Sequence, residues 1–586
     1  LALLADADED ELLDHLDAAV AAALLAESDT AGRYRFTHAL TRHSLYDELS
    51  PTRRQRAHQR IAEVLEAQAS NEDATTLAEL AHHWVAATRP TDIDKALDYV
   101  RRAGDAALGA LAPDDAIRWY RQALELLDRD PSRDELGRAQ VLAALGTAQR
   151  RTGLLEGRDT LLEAGTLALR LDDAETLVSA ALGFTRFEGG RQGEEAAKPI
   201  IQAALDRVGP GPTARRARLL SALALAHDGA LEWRARRDLS IDALDVARRS
   251  ADDSALVDVV ERIVTEVASP DRLDQVIEDV ENAEALAGRI GDPVLSVRIK
   301  FQLVWVRIQQ ADVLGADTVL AEMEATTARV GLPAAEWQLA ILNTGRLLLA
   351  GLTDQAEAAN DRSLNLGVAA DAPDAFGAYG GLLYAIRLQQ GRLDEIADMF
   401  IDAARDNPSI AVLRAAVAAM LSQSGRIEEA HDRLATEAAA GFEFPYDMTW
   451  LASMSDLLDV AASTGDRDIA RVLVDRVAPF ADHVAEPTSA LVAGALGRPL
   501  GRAATILGDF DQAEEWFALA HAIHSRLRTP YWTARSQLDL ADLCLARRAD
   551  GDAERASELV AAAAATAAEY DFAGLTQSAA GLLDSL

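Results

Sequence analysis
Three lysines, eleven histidines and one cysteine set narrow limits on the chemistry this chain could perform. The lysines are Lys95, Lys198 and Lys300, and none follows a glycine. A phosphate-gripping loop needs Gly-Lys-Ser/Thr, because its lysine reaches the β and γ phosphates. That loop is absent from the sequence, as are a Ser/His/Asp elbow and His-Glu-x-x-His. ATP hydrolysis is therefore not expected of this chain, and no catalytic residue is assigned. Cys544 lies in the apolar run 540–545 and reads as a buried structural thiol. One cysteine excludes an internal disulfide framework and a cysteine-based zinc site. His521 and His524 stand three apart on an expected helix and could ligate a metal, although such pairs are more often solvated or half-buried. His82 and His83 precede Trp84 and read as packing at a junction.

Two groups of residues suit binding better than catalysis. Arg53, Arg54, Arg56, His58 and Arg60 form a basic run; residues 30–61 hold seven arginines against Asp47 and Glu48, in a chain of net charge −37. A chain this acidic is not a general nucleic-acid or anionic-membrane binder. The run therefore reads as a patch that docks onto an acidic neighbour, with DNA contact as the rival. The second group follows Pro530. Tyr531, Ala534, Leu538, Ala541 and Leu545 form one helical stripe for packing. Trp532, Arg535, Asp539 and Asp542 form an adjacent stripe that could face a binding groove. Aromatic and arginine side chains are frequent anchors at interfaces. Trp450 is a second candidate anchor. The bland alternative packs Trp532 between repeats and pairs Arg535 with Asp539.

The elements that would position these residues are helical. Alanine and leucine dominate, aromatics are 5%, and the 17 prolines fall mostly at segment edges such as Pro51, Pro90, Pro131, Pro293 and Pro530. Between the breaks, apolar residues recur with period 3.6. The pattern Gly-x-x-x-x-Ala recurs at Gly351, Gly425, Gly465, Gly508 and Gly551, with Gly391→Ile396 as a variant. Glycine frees the backbone for a turn, and the small residue lets the next helix approach its neighbour. Fainter turns fall near 112–113, Gly153, Gly190, Gly229, Pro270 and Asp312. The expectation is an all-α array of roughly 11 to 13 helix pairs from about residue 75 onward. A stack of this kind presents a long inner surface suited to a protein or small-molecule partner.

Gly104, Ala107, Ala116, Tyr120 and Ala123 share their offsets with Gly501, Ala504, Ala513, Phe517 and Ala520. Both sets resemble tetratricopeptide repeats at the small and aromatic positions. Most intervals here are nearer 40 residues than that repeat's 34. Residues 1–70 differ. A helix over 10–25, a short hairpin over 23–36 with its turn at 28–32, and helices over 38–49 and 52–66 give a winged-helix-like order. Thr37 is placed to cap the first helix after the hairpin. The division expected is 1–70 for this module and 71–586 for the repeats.

The stretch Tyr34-Arg35-Phe36-Thr37-His38-Ala39-Leu40-Thr41-Arg42, followed by Leu45-Tyr46-Asp47-Glu48-Leu49, Arg53-Arg54 and His58, resembles the end of the ATPase region in large bacterial STAND regulators. These are signal-transduction ATPases with numerous domains, among them LuxR-type activators and cyclase-linked ATPases of actinobacteria. Pro445-Tyr446-Asp447-Met448-Thr449-Trp450, residues 508–514 and residues 530–535 resemble the same group's repeats. The resemblance implies an upstream nucleotide-binding domain that holds ATP or ADP. It implies a cytoplasmic setting, and that the chain, which begins at Leu1, is part of something longer. His38 would then touch the nucleotide phosphates in the parent protein. A LuxR-type activator would end in a helix-turn-helix, but residues 561–586 are alanine-rich and carry no basic residue, so an effector on the N-terminal side, such as a cyclase, fits better. DNA contact through residues 1–70 is the remaining rival.

Overall fold
The computed structural model describes Leu4 and residues 8–28, 33–68, 73–88, 93–110, 112–130, 132–152, 154, 156–184, 195–227, 232–370, 372, 374–408 and 410–584. The hairpin turn at 29–32, Pro90, Pro131, Gly153, Gly190, Gly229 and the boundary at residue 70 lie outside them. The chain divides into two compact units, Leu1–Phe187 and Glu188–Leu586. From Ala74 onward the described residues form 26 α-helices. The fold is an all-α, tetratricopeptide-like helical repeat.

The first unit begins with helix Glu9–Ala21, strands β1 (Leu25–Glu27) and β2 (Tyr34–Phe36), and helices Ala39–Glu48 and Pro51–Gln68. The strands pair antiparallel, Ala26 opposite Arg35. The helix–hairpin–helix–helix order agrees with the sequence, but the cap does not. His38 holds the N-cap position of Ala39–Glu48 without a side-chain bond. Thr37 instead donates back to the Ala23 and Leu24 carbonyls, at 2.5 and 3.1 Å. Its hydroxyl closes the hairpin because the end of the first helix lies within reach. Neither Glu9–Ala21 nor Ala39–Glu48 buries a residue. The core of this unit lies further on, where Leu80, Trp84, Tyr99, Val100, Tyr120 and Ala123 pack together. Gly104 sits under the Tyr120 ring; a Cβ there would lie 2.6 Å from Tyr120 Cε1.

Among the described residues of the second unit, helix Lys198–Val208 is followed by nine first helices that alternate with nine second helices. The first helices are Ala214–Ala226, Asp253–Val267, Pro293–Gln309, Pro333–Leu349, Ala375–Gln390, Ala411–Gln423, Trp450–Thr464, Gly497–Leu507 and Pro530–Arg547. Ala573–Leu583 follows the last pair. Each of the glycines 351, 391, 425, 465, 508 and 551 has positive φ, between 69° and 87°. The residues five on, Ala356, Ala430, Ala470, Ala513 and Ala556, are all fully buried. Acidic residues start many helices. Asp252, Asp292, Asp312, Asp466 and Asp509 each accept a bond from a backbone N–H of the first turn, satisfying donors that a helix start leaves open.

Long-range contacts then close this unit on itself. Ala573–Leu583 packs against Ala375–Gln390. Gly391 and Gly574 meet backbone to backbone; a Cβ on Gly391 would lie 2.6 Å from Gly574 N. Met448 N donates to Thr265 O at 3.2 Å, Gln309 Nε2 donates to Val484 O at 3.3 Å, and Arg526 donates to Gln310 O. Gly345 leaves room for the Ala490 carbonyl, which a Cβ would meet at 1.8 Å. The late repeats and the segment around 484–495 therefore lie against the early repeats. Part of the inner surface that a stack of repeats leaves open is covered by the chain itself.

Candidate functional site
First helices carry ionisable side chains into this enclosed interior at helical spacing. Asp456 and Asp459 come from Trp450–Thr464, Arg498 and Arg502 from Gly497–Leu507, and Arg535, Asp539 and Asp542 from Pro530–Arg547. Spacings of three and four place each set on one helix face. Arg498 donates to Asp459 and, at 3.0 Å, to Asp539. Arg502 donates to Asp459 at 2.6 Å and lies 3.3 Å from Asp539. Two arginines and two aspartates thus alternate across three successive first helices. Burial opposes charge on Asp459, but Arg498, Arg502 and Arg535 overcome it and hold the carboxyl below the usual carboxylate range.

Asp456 is the counterpart. It is half-buried. Burial and the Asp459 charge push it up to about 8, against the pull of Arg498 and Arg535. Asp542 is pushed up to about 6 by burial and by Asp539. Tyr384, from Ala375–Gln390, is likewise held above its ordinary value, by burial and by the Asp456 charge. Arg535 Nη1 bonds Tyr531 Oη at 3.1 Å and Gln423 Oε1 at 3.4 Å. Tyr384, Asp456 and Arg535 therefore lie close enough to influence one another's charge.

Two of the expected anchors are packing residues instead. Trp532 is 8% exposed; its Nε1 donates to Val492 O at 3.2 Å, and its ring stacks on His524. Trp450 is equally buried, edge-on to Tyr446 and Phe480. Neither presents a surface to a partner, because the segment around 484–495 and the neighbouring repeats cover them. Asp539 pairs with Arg498 and Arg502, which leaves Arg535 to Tyr531 and Gln423. His521 and His524 do not form a metal site. His524 is fully buried, accepts from Ala495 N at 2.9 Å and contacts Ser536 Oγ at 3.2 Å, while His521 is exposed. Burial, Arg498 and His521 lower His524 to about 3. Cys544 is buried, and burial raises its thiol pKa.

His38, Arg53, Arg56 and Arg60 are exposed. Arg54 lies 3.6 Å from Asp47 and over the Tyr46 ring. Sequence reading missed Asp456, Asp459, Arg498, Arg502 and Tyr384. A sequence signal existed for the charged four: charges at i, i+3 or i, i+4 on otherwise apolar helices. What they meet depends on which helices become neighbours.

No protein-family profile matches the chain, and no curated protein matches it. Solved structures do. One is a signal transduction ATPase with numerous domains (STAND) protein with a tetratricopeptide repeat sensor from Pyrococcus horikoshii, at 10% identity and TM-score 0.31, covering 76% of this chain and 62% of that one. The chain thus spans less than two thirds of that protein's length. A second is the APC/C hetero-tetramer Cut9–Hcn1, at 13% identity and TM-score 0.28, covering 82% and 96%. A third is Naa15/Naa10 bound to HypK-THB, at 12% identity and TM-score 0.22, covering 90% and 88%. No helix among the described residues is long and apolar enough to cross a membrane.

Proposed function
We propose that this chain is the non-catalytic reception region of a signal-transduction ATPase regulator. Its second unit binds a polar small molecule or a protein segment at the interior cluster. Residues 1–70 dock onto a nucleotide-binding domain of the same polypeptide. The observation that supports this reading is the proximity of Tyr384, Gln423, Asp456 and Arg535, which come from four first helices. A stack held by packing alone has no need of a half-buried neutral carboxyl beside an arginine. The docking half is supported by Leu13, Leu24, Leu40, Leu45 and Tyr46, which are 42% to 79% exposed on elements that bury nothing of their own. The basic side chains of Pro51–Gln68 flank them and suit an acidic face. His38, exposed at a helix start, is free to meet a phosphate there.

The test has two arms. The isolated chain, titrated with ATP by calorimetry, shows no binding; micromolar affinity would refute the division of labour. In the polypeptide that carries the nucleotide-binding domain, His38→Ala speeds ADP release and raises basal output. Unchanged ADP release would remove the docking role of residues 1–70.

A further inference from the structure
Three histidines at the contact of Pro51–Gln68 with Ala74–Ala87 share a geometry that packing does not require. His58 is buried, His83 half-buried and His82 exposed, and one ring nitrogen from each lies within 4.8 Å of the others. His58 Nδ1 and His83 Nδ1 face each other at 2.8 Å. Two imidazole nitrogens can meet in this way only if one carries a proton, or if a cation takes that proton's place. The other nitrogen of His58 is committed, since Nε2 lies 3.0 Å from Tyr46 Oη. With Nε2–H donating to Tyr46, the Nδ1 lone pair of His58 points at His83. A metal-bound histidine is held in the same way, its second nitrogen bonded to an outer partner that fixes the tautomer.

We propose that His58, His82 and His83 form a binding site for a Zn²⁺-class divalent cation, with water as the fourth ligand. Imidazole suits borderline ions of this class, and the carboxylate-rich sets that favour Mg²⁺ or Ca²⁺ are absent from the cluster. Tetrahedral zinc with Zn–N bonds of about 2.0–2.1 Å separates its nitrogens by roughly 3.3 Å. Small side-chain rotations reach that from the present spacing. The ion would tie Pro51–Gln68 to Ala74–Ala87, fixing the N-terminal elements on the first repeat.

The test uses the whole chain with Zn²⁺ alone, in competition with a chromophoric chelator, and with Co²⁺ as a spectroscopic substitute. One equivalent binds, Co²⁺ gives the intense visible bands of a tetrahedral nitrogen site, and the melting temperature rises. His82→Ala, exposed and so tolerated by the fold, weakens binding by more than the about 10–100-fold that losing an outer partner costs. Tyr46→Phe falls within that range. Absence of binding at micromolar Zn²⁺, an octahedral Co²⁺ spectrum, or affinity undiminished by His82→Ala would each overturn the proposal.

Discussion

Arg498 donates to Asp459 from the neighbouring first helix, and both side chains are almost closed off from water, at 1% and 9% exposure. Arg498 also reaches Asp539 on the next first helix. One arginine therefore bridges three repeats. Arg498→Ala leaves two carboxylates without their buried partner and costs about 3–5 kcal/mol. Arg502→Ala, at a more exposed site, costs less. Urea denaturation of the two variants checks the order, and equal losses would remove the bridging role.

Stability depends on pH in two opposite windows. The folded pKa of Asp459 lies below its unfolded value near 3.9. Its contribution is present above that value and lost as pH falls through the folded pKa. Asp456 behaves in reverse, since its folded pKa is about 8. Its neutral form suits the fold, so stability is lost as pH rises from about 4 toward about 8. Asp456→Asn flattens the slope in that window and leaves the acid limb unchanged. Urea midpoints across the range show whether it does.

Glu486 adds to the same slope. It is 2% exposed, burial holds it well above the ordinary carboxyl range, and its Oε2 has no hydrogen-bond partner. It lines a small cavity with Ile308, Leu320, Leu349 and Val492. Glu486→Gln removes the ionisable group at nearly constant volume. The variant gains stability relative to the native chain above neutral pH and little below it. A gain that does not depend on pH would show that Glu486 is not neutral in the fold.

Closure of the second unit can be tested at Gly345. A Cβ there meets the Ala490 carbonyl at 1.8 Å, and backbone cannot yield as a side chain can. Gly345→Ala displaces the segment around 484–495 and costs on the order of 1–3 kcal/mol. Limited proteolysis reports the displacement as faster cleavage within that segment. Unchanged cleavage and melting would mean that the two parts are not pressed together.

Repeat register is tested at Ala513. It is fully buried where Phe510–Leu527 crosses its neighbours. Ala513→Leu overpacks that crossing and costs roughly 1–3 kcal/mol, read as a lower melting temperature.

The sequence by itself determined the local devices. Gly508 turns with positive φ, Ala513 five residues on is buried, and Gly501 lies under Phe517 as Gly104 lies under Tyr120. These follow from steric rules acting within one helix pair, so spacing along the chain reveals them. The hairpin at 25–36 was legible for the same reason. The fate of Trp532 was not. Its stripe looked free because the residue covering it, Val492, lies 40 positions earlier in a segment with no helical periodicity. Tertiary structure alone decided that Ala573–Leu583 returns to Ala375–Gln390 and that Gly345 faces Ala490. It also decided that Asp459 pairs with Arg498 and Arg502. A periodic pattern says which face of a helix is buried. It cannot say which distant helix buries it, because curvature summed over nine repeats sets where the chain meets itself.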